Sequence, residues 1–200
     1  MKIFLRSLTA FMVLEGLFLV APNILSAPGT APNPDSCLAC AGHVDPLACH
    51  RIAVDLASAR DYARAVAIEE RVFTLLPHNA EVAAALGRMH QVGTNDSARA
   101  IRMYHEALYA APGYPAALYG LGVIMKEKGE MPIALGYFSR GARENPGQPL
   151  FRVRLAEVLV ATGRPDEARP ILDEIVAKWP GSEEATAART MMNRTSLARP

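Results

Sequence analysis

The residues of this chain best suited to chemistry lie in one short segment near the N-terminus. All of its cysteines and two of its histidines fall between positions 37 and 50, as Cys37, Cys40, His43, Cys49 and His50. Thiols and imidazoles form disulfide bonds, ligate zinc and exchange disulfides. The segment therefore has three candidate chemistries, and each depends on the compartment and on the elements that hold it.

The first interpretation is a disulfide bond. Either Cys37 or Cys40 could pair with Cys49, which would fasten the segment to the helix predicted to begin at Pro46 and leave one cysteine over. Cysteine pairs persist as disulfides mainly in oxidising compartments. The sequence predicts a disulfide here without fixing which pair forms it.

The second interpretation is a metal or redox site. Cys37-x2-Cys40 has the spacing of half a zinc site, and His43, Cys49 and His50 could complete it, although the second half lacks a matching pair. Thiol–disulfide exchange would need a helix N-terminus that lowers a thiol pKa, and no strand precedes this segment to build that context. Covalent haem attachment needs histidine directly after the second cysteine, where this chain has alanine. We therefore predict no cofactor, with zinc as the alternative.

The N-terminus bears on the choice between these chemistries. Lys2 and Arg6 precede an apolar run that ends near Val20, which is the layout of a secretory signal peptide. Glu15 interrupts the run, and its length falls short of the roughly 20 residues that a spanning helix needs. We predict that residues 1–27 are a signal peptide or an N-terminal anchor and that the protein is periplasmic or otherwise exported. In the alternative, residues 1–25 tether it to the inner membrane with the rest outside the cytoplasm.

Charge and motifs exclude several function classes. The chain has 21 Lys and Arg against 20 Asp and Glu, which does not favour nucleic acid because that partner demands a basic face. It has no glycine-rich phosphate loop, no Gly-x-Ser-x-Gly elbow and no His-Glu-x-x-His pair. We therefore predict no catalytic residues, no small-molecule substrate and no enzymatic activity.

The element that organises the rest of the chain is a helix pair at residues 115–148. Apolar residues recur there every three or four positions in both halves, and Gly129 separates the halves as a helix-ending glycine does. Pro132 follows in the first turn of the next helix. The pair resembles a tetratricopeptide repeat at these positions: Leu118, Leu121, Gly122, Met125, Ala134, Phe138, Gly141 and Pro146.

The same pattern recurs along the chain. The units are residues 46–79, 80–114, 115–148 and 149–182, followed by a capping helix at residues 183–194 and a disordered tail at residues 195–200. Residues 28–45 are a proline-rich linker. The second unit has one extra residue, which we place in the loop at 93–97, and the first unit has Glu69 where the family places a large apolar residue. The resemblance implies an all-α, right-handed α-solenoid of stacked helix-turn-helix units.

The resemblance also implies where a partner would bind. In this family the first helix of each unit lines a concave groove, which here would be largely apolar with charges of both signs. That lining suits an amphipathic helix or an extended apolar segment. The clamp for a chaperone's C-terminal carboxylate is absent, because His50 and Val54 replace its Lys and Asn. The predicted groove residues are His50, Val54, Ala84, Arg88, Tyr119, Val123, Lys126, Glu127, Val153 and Glu157.

Three functions remain compatible with the sequence. The first is a non-enzymatic adaptor that holds a protein or peptide partner in the groove. The second is a metal-binding or thiol-redox protein that acts through the cysteine segment. The third is a structural module that assembles with itself, and the sequence leaves the oligomeric state open.

Overall fold

The computed structural model describes residues 32–39 and 44–197, with side chains as far as Arg194. The predicted signal peptide or anchor at residues 1–27 lies outside this part of the chain. So do Cys40 and His43. Among the described helices, none combines the length with the apolar character needed to cross a bilayer.

The described residues are helical, with no strand among them. An all-α solenoid is therefore confirmed. In chain order the elements are α1 (Pro34–Leu38), α2 (Pro46–Ser58), α3 (Tyr62–Leu75), α4 (Ala80–Arg88), a π-helical turn (Met89–Gly93), α5 (Ser97–Ala110), α6 (Pro115–Glu127), α7 (Met131–Glu144), α8 (Pro149–Ala161), α9 (Pro165–Lys178) and α10 (Glu183–Leu197). The first helices of the units are α2, α4, α6 and α8, and the second helices are α3, α5, α7 and α9.

Local sequence sets where these helices begin and turn. Pro46, Pro115 and Pro149 each open a first helix, where a missing N–H leaves no hydrogen bond unmade. Aspartate and asparagine N-caps begin α2, α3, α4 and α5 by accepting from backbone N–H groups of the first turn. Each unit then reverses through one residue with positive φ, namely Arg60, Asn95, Gly129 and Gly163.

The extra residue of the second unit lies elsewhere than predicted. Its left-handed turn residue, Asn95, comes one position later in its unit than Gly129 and Gly163 do in theirs, and the residues before it form the π-helical turn Met89–Gly93. A π turn is how a helix absorbs a single inserted residue. The insertion therefore falls within the first helix rather than in the loop at 93–97, and it shifts the register of the residues that follow.

The core is a row of similar packing layers. Tyr104, Phe138 and Leu172 occupy equivalent positions on three successive second helices, and each is at most 2% exposed. Close approach of the paired helices is essential, because a Cβ at Gly122 would lie 2.5 Å from a ring carbon of Phe138. The apolar clusters follow one another along the chain, which is how a stack of units buries surface that no single unit could bury.

Both ends of the stack are covered. At the C-terminal end α10 buries Ala185 and Ala188 completely, and it continues to Leu197. The predicted tail is therefore helical at residues 195–197, because the capping helix is longer than the predicted residues 183–194.

At the other end, part of the predicted linker is a helix. Helix α1 begins with a capping box between Asn33 and Ser36, and its last carbonyl, at Leu38, accepts from the Arg71 guanidinium at 3.1 Å. The Sγ atoms of Cys37 and Cys49 lie 2.09 Å apart, which joins α1 to α2.

Candidate partner-binding groove

The four first helices lie side by side and form one continuous face, which we call the groove. Contacts between their side chains show this directly for α6 and α8: Lys126 Nζ lies 3.2 Å from a carboxylate oxygen of Glu157. The groove therefore combines residues that are about one repeat apart in the sequence.

The structure divides the ten predicted groove residues into three groups. His50, Ala84 and Val153 are buried, at 7%, 3% and 3% exposure, because they pack against neighbouring helices. They offer almost no surface to a partner, which corrects the prediction for these three positions. Half-buried are Val54, Tyr119, Val123, Lys126 and Glu157, while Arg88 and Glu127 are exposed.

A polar network fixes the groove between the third and fourth units. Arg154 donates to both carboxylate oxygens of Glu157, at 2.8 and 3.0 Å, and to the Tyr119 hydroxyl at 3.0 Å. Its guanidinium also lies 5.7 Å from the centre of the Tyr119 ring. Because Lys126 shares the same Glu157, four side chains from two helices hold one another in place.

Arg154 was not among the predicted groove residues. It follows the buried Val153 in the sequence, at a position that we did not assign to the groove. Its Nε is buried without a hydrogen-bond partner among the described residues. The sequence signal was that α8 carries two arginines, Arg152 and Arg154, among mostly apolar residues, since a partly buried guanidinium needs anionic or aromatic partners. The sequence could not show that those partners are Glu157 and Tyr119.

A second polar cluster lies between the first and second units. His50 Nδ1 lies 2.7 Å from Glu69 Oε1, and its Nε2 lies 3.7 Å from the carboxylate of Glu81. The hydrogen bond to Glu69 raises the pKa of His50, and burial raises the pKa of the Glu69 carboxyl. Glu69 is fully buried at the position that Tyr104 and Phe138 fill in the next units. Glu69, which departs from the repeat pattern, is therefore accommodated by its hydrogen bond to His50 on the preceding helix.

The third feature of the groove is the π-helical turn after α4. Val92 is 62% exposed there. Counting back from the left-handed turn residue, Val92 takes the place that Lys126 and Val160 take in their units. Counted instead from the first residue of each unit, Gln91 would take that place, and the inserted residue accounts for the difference.

The described part of the alternative metal site, Cys37, Cys49 and His50, is not arranged to hold a metal ion. The Sγ atoms of Cys37 and Cys49 lie at disulfide distance from each other, and His50 directs its two ring nitrogens at Glu69 and Glu81. Within residues 32–39 and 44–197, no three metal-ligating side chains come together. The other two predicted ligands, Cys40 and His43, lie outside the described residues.

Comparison with known proteins identifies the family. Two family models described as "Tetratricopeptide repeat" match, one at residues 89–149 and the other at residues 133–192, and together they cover more than half of the chain. The chain belongs to the tetratricopeptide repeat family. That fold is a scaffold for protein–protein interaction, and its members are generally not enzymes.

Solved structures of the same fold are distant in sequence. YrrB, described as "a TPR protein with an unusual peptide-binding site", is 20% identical with a TM-score of 0.63, over 85% of this chain and 87% of its own. TTC0263 from Thermus thermophilus is 17% identical with a TM-score of 0.63, over 74% and 81% of the two chains. MamA residues 41-end from Desulfovibrio magneticus RS-1 are 18% identical with a TM-score of 0.60, over 70% and 78%. No curated protein gives a significant match.

Proposed function

We propose that this protein is a non-enzymatic adaptor that holds an amphipathic helix or an extended apolar segment of a partner protein in the groove. The partner would lie across the first helices, with its apolar side chains against the groove. The repeat family provides the general role, and the groove's own side chains support this particular use.

The observation that carries the proposal is the apolar surface left open along the groove. Leu47 and Val92 are 45% and 62% exposed, and Val54, Val123 and Val160 are half-buried. All five lie on first helices or on the π turn that extends one of them. An apolar strip of this kind along consecutive helices fits the apolar face of a bound helix.

The polar network gives this surface a fixed shape. Tyr119 is held by Arg154 on one side, and its ring centre lies 6.3 Å from that of Phe138 and 6.5 Å from that of Phe151. A side chain held in this way loses little freedom when a partner binds, which favours affinity. The peptide-binding site named for YrrB supports the proposal only by likeness of fold.

The test uses peptides selected from a displayed random library on the purified protein, with affinities measured by fluorescence anisotropy. We expect Tyr119→Ala with Val123→Glu to weaken binding at least ~100-fold, the loss of about 3 kcal/mol that an aromatic anchor can carry, while the helical circular dichroism stays unchanged. The matched control is Tyr109→Ala with Ile133→Glu, which makes similar changes at exposed positions of two second helices. Equal binding by both double variants would contradict a site in the groove.

We further propose that the protein works outside the cytoplasm. The support is the signal-like composition of residues 1–27 together with the Cys37–Cys49 pair, since such a bond persists in oxidising compartments. Fractionation of the tagged full chain tests the location. A thiol count on the denatured chain tests the bond: we expect one reactive thiol per chain without reductant and three with it. Three reactive thiols per chain both with and without reductant would contradict the bond.

A further inference from the structure

The charged side chains of the groove differ in whether they have an ion-pair partner. Lys126 and Arg154 share Glu157, and Arg152 lies 3.4 Å from Glu174. Arg88, on α4, is exposed and makes no ion pair with any described residue. The cations Lys126 and Arg154 are therefore each held by a carboxylate, whereas Arg88 in the second unit has no such partner among the described residues.

A second donor lies one turn beyond Arg88. Gln91 Oε1 accepts from the Tyr104 hydroxyl at 2.8 Å, which directs the other side of the amide, its NH2 group, away from Tyr104. No described residue accepts from that NH2 group. Gln91 follows Arg88 by three residues, and it lies within the π-helical turn that extends α4.

Tyr104 makes this arrangement rigid. Its ring lies against two glycines, where a Cβ would come within 2.9 Å at Gly87 and 2.2 Å at Gly120, and the residue is only 2% exposed. Burial raises the pKa of Tyr104 to about 12, and the charge of nearby Arg88 opposes that rise. The hydroxyl therefore remains protonated and keeps the Gln91 amide in one orientation at neutral pH.

The inserted residue adds an apolar contact beside these donors. In the register set by the π turn, Val92 stands where Lys126 stands in the next unit, and it is 62% exposed. Residues 88–92 thus carry a guanidinium, an amide NH2 and an isopropyl group. No acidic side chain of the described residues pairs with this guanidinium.

We propose that the second unit selects partner segments by an acidic residue. In this proposal, which rests on the groove function above, an Asp or Glu carboxylate of the partner accepts from Arg88 and Gln91. A large apolar side chain of the partner, one helical turn away, packs on Val92. The partner class is therefore an acidic amphipathic segment. Charge-assisted contacts of this kind are among the stronger ones that a protein surface makes.

The test reverses the charge at position 88 and asks whether the protein then selects different peptide sequences. A displayed library of random peptides, each about four helical turns long, is selected in parallel on the wild-type protein, on Arg88→Glu and on Arg102→Glu. Arg102 is an exposed arginine of α5 without an ion pair among the described residues, so its replacement changes net charge identically. Arg88 is exposed as well, and its replacement should leave the fold intact.

We expect wild type and Arg102→Glu to enrich peptides with Asp or Glu at a fixed spacing from a large apolar residue. Arg88→Glu should bind those peptides about 10- to 100-fold more weakly and enrich Lys or Arg at the same place. Val92→Asp should remove the preference for the apolar neighbour.

The outcomes separate this inference from the function on which it rests. Peptides that bind wild type without an acidic preference, or that bind Arg88→Glu equally well, overturn the inference and leave the groove function standing. Failure of the wild-type protein to enrich any peptide, or binding that Tyr119→Ala with Val123→Glu does not weaken, overturns both.

Discussion

Replacing the buried pair His50 and Glu69 tests the polar core of the first unit most sharply. Glu69 is fully buried, with one oxygen 2.7 Å from His50 Nδ1 and the other without a hydrogen-bond partner among the described residues. His50→Val alone leaves this carboxylate without its partner. We expect that variant to lose about 3–5 kcal/mol of stability, the usual cost of removing one member of a buried pair.

The double variant His50→Val with Glu69→Leu should behave differently. It installs the residues that the fourth unit has at the same two places, Val153 and Leu172, which are 3% and 1% exposed there. Replacing both members of a buried pair by apolar residues is often neutral or stabilising, by about 1–4 kcal/mol. We therefore expect the double variant to be at least as stable as wild type, although it carries the damaging single change.

The assay must report on the first unit, because stacked repeats can open one at a time. Hydrogen exchange of the α2 and α3 amides gives the local free energy of opening, and urea unfolding followed by circular dichroism gives the global one. A His50→Val variant within about 0.5 kcal/mol of wild type would show that Glu69 does not depend on His50, because surface substitutions stay within that range. A double variant whose loss of stability equals the sum of the losses of the two single variants would show the same.

The same pair predicts how stability depends on pH. The folded state raises the pKa of His50 above its ordinary 6.5 and that of Glu69 above its ordinary 4.5, so folding takes up protons at both groups. The stability that the pair contributes is fully present below the ordinary pKa values. It is lost as the pH rises through the pKa values of the folded state. Glu81, the other charged group beside His50, acts in the same direction on both. Burial lowers the pKa of His90, which acts oppositely, so the test is the difference between wild type and the double variant. Wild type should lose stability relative to the double variant between about pH 5 and pH 8.

Three further predictions concern glycine, the cysteine pair and the π turn. Gly136→Ala in α7 should stabilise by about 1 kcal/mol, since nothing lies within 4 Å of the added Cβ, whereas Gly122→Ala should cost about 1–3 kcal/mol against Phe138; thermal unfolding compares them. Cys49→Ser should lower stability by about 3 kcal/mol in denaturant, and reductant should lower wild type equally but leave the variant unchanged. Tyr104→Phe should lower stability by about 1 kcal/mol, because it loses the hydrogen bond to Gln91. It should also weaken binding of the acidic peptides, because the Gln91 amide is no longer held in one orientation. Undiminished peptide binding would show that the orientation of the amide is unimportant.

The helices could be predicted from sequence because their signals are local. Proline at the first helical position, aspartate or asparagine caps and a left-handed turn residue act within a few residues, and the repeated pattern averages over their exceptions. The core position of Phe138 followed from the same pattern, and Tyr104 and Leu172 repeat it in their units.

The groove could be predicted less well because its side chains meet across units. The partner of Glu69 is 19 residues away at His50, and the partner of Tyr119 is 35 residues away at Arg154. A family position also does not show whether a side chain is open, as the burial of Ala84 and Val153 demonstrates. The π turn escaped prediction because an inserted residue is equally compatible with a loop.

Photo-cross-linking tests directly whether the groove holds a partner. A photoreactive amino acid is placed singly at Val92 and Val123 in the groove, and at Ala67 and Arg102, which are exposed on second helices. The full chain is then irradiated in the cells that produce it. We expect a discrete adduct of the same partner from both groove positions and none from the second-helix positions. Adducts from the second helices alone, or from all four positions equally, would contradict it.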